Sequence, residues 1–278
     1  MKTDPERKDI VTAHDTRDHA AKLLLDAYAS GTPIAPLTQT FDGLTIEDAY
    51  EIQLAQIGSM VGGGRTIKGM KVGLTSAAMQ NLLGVRQPDF GHLLDDFFFL
   101  EHEPIPLAGR FLQPRVEPEV AFVLKRPLRG PGVTAHEAIA AIDFVLPALE
   151  IVDSRIADWK ISIVDTVADN ASSGGLVLGS TPTPLHEVDL RLGGCVFRRN
   201  GQVVGTGAGG AVLGSPLSSL VWLANTVGAL GTALEAGWVV LPGAVTAMVP
   251  VTAGDTFTAT FGGLGSVTAR FAREETTS

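Results

Sequence analysis

The chain of 278 residues contains one cysteine, Cys195. It can close no intrachain disulfide and build no thiolate metal cluster, so the expected location is cytoplasmic. Cys195 itself reads as a small buried apolar residue. Long apolar runs are also missing. The longest candidate, Pro216 to Leu230, is interrupted by Ser218, Ser219, Asn225 and Gly228 and predicts a buried helix rather than a membrane span. The opening stretch, MKTDPERKDIVTAHDTRDHAAK, has no apolar segment of the kind a secretory signal requires. No cluster of Lys and Arg interleaves with aromatics, which excludes the usual nucleic-acid-binding surface. The net charge of -9 favours solubility and opposes attraction to anionic lipid. There is no internal repeat, no low-complexity tract and no Walker spacing around the glycines.

What remains is the composition of a packed enzyme-sized body, 45% hydrophobic and 18% charged. Residues 1–15 are expected to form a disordered tail. Helical spacing of Ala20, Leu23, Leu24, Ala27 and Tyr28 predicts a helix from Thr16 to Ser30. A second helix opens at Thr45 and stops at Gly62-Gly63-Gly64. Together they give a helical region over 16–64, followed by a β-rich catalytic domain over 65–273. Strands are predicted at Met70–Leu74, Val116–Leu124, Ala148–Val152, Gly175–Leu178, Asp189–Arg198, Trp238–Leu241 and Thr256–Phe261. Thr134 and Glu137 have capping-box spacing, and Pro216 after Ser215 suits a first helical position. The pattern implies a mixed, strand-dominated α/β body with a rolled sheet.

Five segments could carry chemistry. In Arg115-Val116-Glu117-Pro118-Glu119 the two glutamates share one face of a strand, at the edge of an apolar run. They repel unless a cation or a proton sits between them, and Mg²⁺ or Mn²⁺ suits oxygen ligands. Taken alone, the pair reads better as two solvent-facing glutamates on an edge strand. Pro118 cannot donate to a ladder and implies a bulge or an edge. Glu150 lies in the apolar segment ALEIV, which suggests a buried partner as readily as a strand end reaching water. Three carboxylates would give an oxygen-ligand set with positions left for substrate and water. Asp153 and Arg155 read as a structural salt bridge. Lys71, flanked by Gly69 and Gly73, could bind a carboxylate or exchange a proton, or could reach solvent. Asp89 after Pro88 reads as turn chemistry, and His92 as hydrogen-bonded structure. The loop DTVADNASSGG, with Ser172, could offer donors to an anion, although a plain polar turn explains it better on its own.

The segments KVGLTSAAMQ, GVRQPDFGHLLDD, PRVEPEVAFVL, ALEIVDSRIADWKI and DTVADNASSG, in this order, closely resemble the 2-hydroxypenta-2,4-dienoate (2-oxopent-4-enoate) hydratases of aromatic meta-cleavage catabolism, within the fumarylacetoacetase-like superfamily. The resemblance runs from about Thr45 to about Phe271 and takes in GAGGAVLGSPLSSLVWLAN and PVTAGDTFTATFGGLGSVTARF. It implies a fumarylacetoacetase-like β-roll core with an N-terminal helical layer, in homo-oligomers. It implies that Glu117, Glu119 and Glu150 hold Mg²⁺ or Mn²⁺. Lys71 and Asp89 match the catalytic lysine and aspartate, Ser172 the serine that meets the substrate carboxylate, and Leu74 a substrate-lining position. Relatives carry a small residue where this chain has Pro118, so a shifted strand is expected there, with the proline ring turned away from the metal. The small-molecule substrate is a 2-hydroxydienoate or 2-oxo acid, and a pathway decarboxylase or aldolase is a further partner. The alternatives are a 4-oxalocrotonate decarboxylase of the same fold and a non-catalytic partner subunit. Decarboxylases of this group tend to carry an apolar residue at the Asp89 position, and a non-catalytic copy would be expected to lose ligands that are all present here.

Overall fold

The computed structural model describes residues 13–273, so most of the expected N-terminal tail lies outside the described residues. Helix α1 (Ala13–Ser30) starts three residues earlier than expected and takes in residues 13–15. A short α2 (Leu37–Thr40) precedes α3 (Ile46–Gly62). Thr45 and Asp48 close the capping box of α3 reciprocally, satisfying two backbone donors that would otherwise lack partners. Helix α3 ends at Gly62, at the glycine triplet. The apolar faces of α1 and α3 meet through Ala20, Leu24, Ala49 and Ile52 and seat on Val164, Val167 and Ala168.

The β-rich part begins with β1 (Ile67–Gly73), α4 (Ala77–Leu83), β2 (Asp89–Leu94), β3 (Phe98–Phe99) and β4 (Pro104–Ile105). It continues with β5 (Arg115–Leu124), α5 (Ala135–Ala141), β6 (Ile142–Val152), α6 (Ile163–Ala168) and β7 (Ser173–Leu178). Next come β8 (Gly194–Arg199), β9 (Gln202–Ala208), α7 (Pro216–Ala229), β10 (Val239–Leu241), β11 (Val249–Pro250), β12 (Thr256–Phe261) and β13 (Gly265–Phe271). One eight-stranded sheet runs β2-β1-β10-β5-β6-β7-β3, with β11 also on β5; a five-stranded sheet runs β4-β13-β12-β8-β9. Most pairs are antiparallel, but β1–β10, β3–β7 and β4–β13 are parallel.

Alternation along the central strands sorts residues onto two faces. Val116, Val120 and Phe122 of β5, with Leu149 and Ile151 of β6, face the small sheet and pack with Phe197, Phe257 and Val267. Burying each such side chain contributes roughly 1.5–3 kcal/mol. Ala121, Leu146, Ala148 and Leu241 occupy the opposite face, with Ile57. Glu117 and Glu119 share the parity of Ala121, and Glu150 that of Ala148. All three glutamates therefore point to this second face.

Several predicted elements are corrected. The strand expected at Asp189–Arg198 begins only at Gly194, because the Asp189 carboxylate accepts the N–H groups of Arg191 and Leu192 and holds a turn. Residues 89–94 form a wholly buried strand rather than a turn, since pairing with β1 buries both partners. Residues 165–168 of the polar loop at 165–175 belong to α6, set by a Ser162–Asp165 capping box. Pro118 causes no bulge: the β5–β6 register is unbroken from Arg115 to Val123. Its carbonyl accepts Val245 N–H at 3.0 Å, in the stretch of β5 between its pairings with β10 and β11. A residue's N–H and C=O share one strand edge, so the missing donor faces this loop and β6 loses no bond.

Candidate active site

Strand pairing assembles the site. Glu117 stands directly opposite Glu150 across β5 and β6, and Glu119 follows one pleat along the same face. Each of the three offers an oxygen, and these oxygens lie within 4.8 Å of one another. Glu119 and Glu150 are fully buried, whereas Glu117 is partly accessible. Lys71 reaches the cluster from β1, its Nζ 3.4 Å from a Glu150 oxygen and donating to the Ala171 carbonyl at 2.9 Å. Asp89 opens β2 and pairs in register with Gly73. A Cβ on Gly73 would sit 2.1 Å from an Asp89 carboxylate oxygen and 3.4 Å from Lys71 Nζ, so only glycine leaves room for this approach. Gly69 has a different reason: a Cβ there would meet the Val239 carbonyl of β10 at 2.0 Å.

The electrostatics are those of an incomplete set of charges. Four carboxyl groups surround one ammonium. Burial raises Glu117, and the charge of Glu150 adds to it, bringing its pKa to about 8. Burial and the neighbouring carboxylates raise Glu119 well above the carboxylate range, and burial raises Asp89. Burial pulls Lys71 down, but Glu150, Asp89 and the other carboxylates outweigh it and hold the ammonium charged. Glu119 accepts Gly243 N–H at 2.8 Å through one oxygen; its other oxygen has no hydrogen-bond partner among the described residues. The same is true of both Glu150 oxygens and one of Asp89. Buried acceptors without donors are costly. A divalent cation would satisfy the oxygens and cut the repulsion, so the donor set fits a hard, oxygen-seeking ion.

Ser172 lies beside this cluster on a short loop. Asn170, Ala171 and Ser172 have φ of 51°, 51° and 55°. Ser172 is buried, its hydroxyl 3.2 Å from that of Thr166. Leu74, the residue after β1, has φ of 56° and is partly exposed, its carbonyl accepting from Gln80 at 2.8 Å. His92 is structural as expected: its ring contacts Gln53 at 3.1 Å, and burial lowers its pKa to about 4. Cys195 is buried, its thiol pushed up to about 12. Arg155 pairs chiefly with Asp169 at 2.5 Å, a partner not foreseen, and only loosely with Asp153 at 3.8 Å. The carboxylate of Asp153 instead accepts the backbone N–H groups of Leu112 and Gln113. Gly243, Asn170 and Asp169 were missed as site-building residues. Asn170 and Asp169 stood in the polar loop that was noted, while nothing local marks Gly243.

Comparison with known proteins gives the family and the fold. The fumarylacetoacetate hydrolase C-terminal family matches residues 77–272. The chain belongs to this family. Within the family it is 50% identical over 255 residues to 2-keto-4-pentenoate hydratase of Paraburkholderia xenovorans (strain LB400), covering 92% of this chain and 94% of that one. It is 44% identical over 249 residues to 2-hydroxyhexa-2,4-dienoate hydratase of Comamonas testosteroni, covering 89% and 94%. Its fold matches that of 4-oxalocrotonate decarboxylase from Pseudomonas putida G7, complexed with magnesium and adipate. That match has a TM-score of 0.89 and 40% identity, over 93% of this chain and 98% of that one. The expected fumarylacetoacetase-like fold, with a helical N-terminal region and curled sheet, is the one observed. No helix among the described residues is long and apolar enough to cross a membrane.

Proposed function

We propose that this enzyme is a divalent-metal-dependent hydratase that converts 2-hydroxypenta-2,4-dienoate to 4-hydroxy-2-oxopentanoate in aromatic meta-cleavage catabolism. The observation that carries the reading is the meeting of Glu117, Glu119 and Glu150 within 4.8 Å, with Lys71 beside them. Identity of 50% to a named hydratase supports the choice of reaction. Mg²⁺ or Mn²⁺ bound by the three glutamates would supply Lewis-acid stabilisation for negative charge developing at the 2-oxygen of the substrate.

The residues of the chain supply the rest. Ser172 and its loop hold the substrate carboxylate, and Leu74 lines the site at the end of β1. Lys71 and Asp89 move protons: one leaves the 2-hydroxyl and one is delivered to C5, giving the conjugated 2-oxo-3-enoate. Water then adds across C3 and C4, its oxygen to C4 and a proton to C3. Burial of both groups keeps bulk water from competing for these protons. In this reading the enzyme is cytoplasmic and homo-oligomeric. Decarboxylation of 4-oxalocrotonate is the second reading, favoured only by the fold match to the decarboxylase at 40% identity.

The test is ultraviolet loss of 2-hydroxypenta-2,4-dienoate by chelator-treated enzyme, before and after Mg²⁺ or Mn²⁺ is restored. Metal-dependent loss with 4-hydroxy-2-oxopentanoate as product supports the hydratase. No loss with either metal, together with CO₂ release from 4-oxalocrotonate, replaces it with the decarboxylase. No turnover of either substrate leaves a non-catalytic partner subunit.

A further inference from the structure

We propose that Asn170 is a positioning residue for this reaction: its side-chain amide splices the strand that carries Asp89 to the loop that carries Ala171 and Ser172. The proposal rests on the hydratase reading. Strand β2 is the outermost of its sheet, with β1 on its inner edge. On the outer edge, Asn170 Oδ1 accepts His92 N–H at 2.7 Å and Asn170 Nδ2 donates to the His92 carbonyl at 2.9 Å. This is the bond pair a neighbouring strand would make, here supplied by one side chain.

The surroundings are built to keep it. Asn170 is buried with φ of 51°, a left-handed conformation that Asn tolerates better than most residues. Ala171 and Ser172 continue in that conformation, which persists only where the structure over-determines it. Gly91 has no space for a Cβ, which would meet the Asn170 carbonyl at 2.4 Å, and Ser173 Oγ donates to that carbonyl at 2.7 Å. Arg155 pins both flanks, donating to the Asp169 carbonyl at 2.8 Å and the Ser173 carbonyl at 3.0 Å. Three functional groups hang on the splice: Asp89 at the start of β2, the Ala171 carbonyl that holds Lys71, and Ser172. The glutamates stand on β5 and β6; the Asn170 amide bonds neither strand, and its loop meets β6 only at that strand's far end, where the Ser172 carbonyl accepts Asp153 N–H at 2.8 Å and Ser173 pairs with Val152. Loss of the splice should therefore displace the proton-moving and carboxylate-holding groups while leaving the cation site whole.

The experiment uses the full chain with Asn170→Asp and Asn170→Ala. Aspartate keeps the acceptor for His92 N–H but turns an oxygen towards the His92 carbonyl; alanine loses both bonds. Turnover of 2-hydroxypenta-2,4-dienoate should fall on the order of 100-fold, as misplacement by about an ångström does. The Mn²⁺ dissociation constant, read by calorimetry, should stay within about twofold, as for a change independent of the cation site. In the alanine variant, hydrogen exchange should quicken in the peptides spanning 89–94 and 170–178 but not in β5. Turnover within about threefold of wild type in both variants would overturn the proposal. So would Mn²⁺ affinity and β5 protection that fall in step with turnover, since that marks general loosening. If the wild-type chain itself does not hydrate the dienoate, the hydratase reading fails separately. Exchange then decides: quickening confined to the two segments supports the splice, and unchanged protection of β2 refutes it.

Discussion

At alkaline pH, replacing Glu150 by glutamine should make the protein more stable without metal and less stable with it. Glu150 lies within 4.8 Å of both Glu117 and Glu119, oxygen to oxygen. At alkaline pH, where both neighbours are ionised, and at an effective dielectric constant near 20, each such repulsion is worth about 3.5 kcal/mol, so the two together come to about 7 kcal/mol. Against this stands the Lys71 contact at 3.4 Å, worth about 5 kcal/mol on the same scale. Removing the charge should therefore relieve about 2 kcal/mol, and the glutamine amide can also donate to the unpartnered oxygen of Glu119. For a chain of this size that is a rise in Tm of roughly 4 °C in chelator. Wild-type protein at a hundredfold excess of Mn²⁺ over its dissociation constant should gain about 2.7 kcal/mol, or roughly 5 °C, while the variant gains little. The two melting curves should change order when metal is added. At pH 6 Glu117, with its pKa of about 8, and Glu119, raised well above the carboxylate range, both carry protons; only the loss of the Lys71 contact then remains, so the variant should melt no higher than wild type in chelator. Scanning fluorimetry at both pH values, with chelator and with Mn²⁺, reads all of this. A variant that melts lower in chelator at alkaline pH, or one stabilised by Mn²⁺ as much as wild type, would refute the electrostatic reasoning.

Lys71→Ala should lower turnover by roughly 100- to 10,000-fold with only a modest change in KM, since proton transfer is lost while the cation and the Ser172 loop remain; steady-state kinetics on the dienoate check it, and unchanged turnover would remove lysine from the scheme. His92 should make the fold acid-sensitive. Burial lowers its pKa from 6.5 to about 4, so between those values the unfolded chain takes up a proton that the folded one refuses. At pH 5 this costs about 2 kcal/mol, and urea denaturation at pH 7 and pH 5 should show a smaller drop in His92→Asn. Arg155→Met should cost about 3–5 kcal/mol by leaving Asp169 buried and unpaired and by removing the guanidinium from the face of Tyr28, 4.2 Å away; equilibrium denaturation measures it.

Much of the site was legible because its key residues break local rules. Glu150 in an apolar strand, Lys71 between two glycines, and two glutamates at strand spacing are each out of place in a plain core, and the resemblance turned these oddities into proposed roles. The strand at Thr256–Phe261 was predicted to the residue, because its apolar positions alternate cleanly. Residues 89–94 were not legible as a strand. All six are buried, so they carry no alternation, and Pro88-Asp89 imitates a turn. Pro118 misled for a similar reason: whether a missing N–H matters depends on which neighbour lies at that edge.

The sequence by itself determined the residue types that the chemistry needs, the capping boxes that start the helices, and the glycines where backbone must come close. Those are local or pairwise matters, set by side-chain chemistry and by φ and ψ. Tertiary structure alone decided that Glu117 faces Glu150 across one pair of strands, that Lys71 reaches them from β1, and that Gly243 fixes one oxygen of Glu119. It also decided that an asparagine side chain completes the edge of β2. These contacts join residues far apart in the chain, and their geometry follows from strand register and sheet order, which no local pattern of residues encodes.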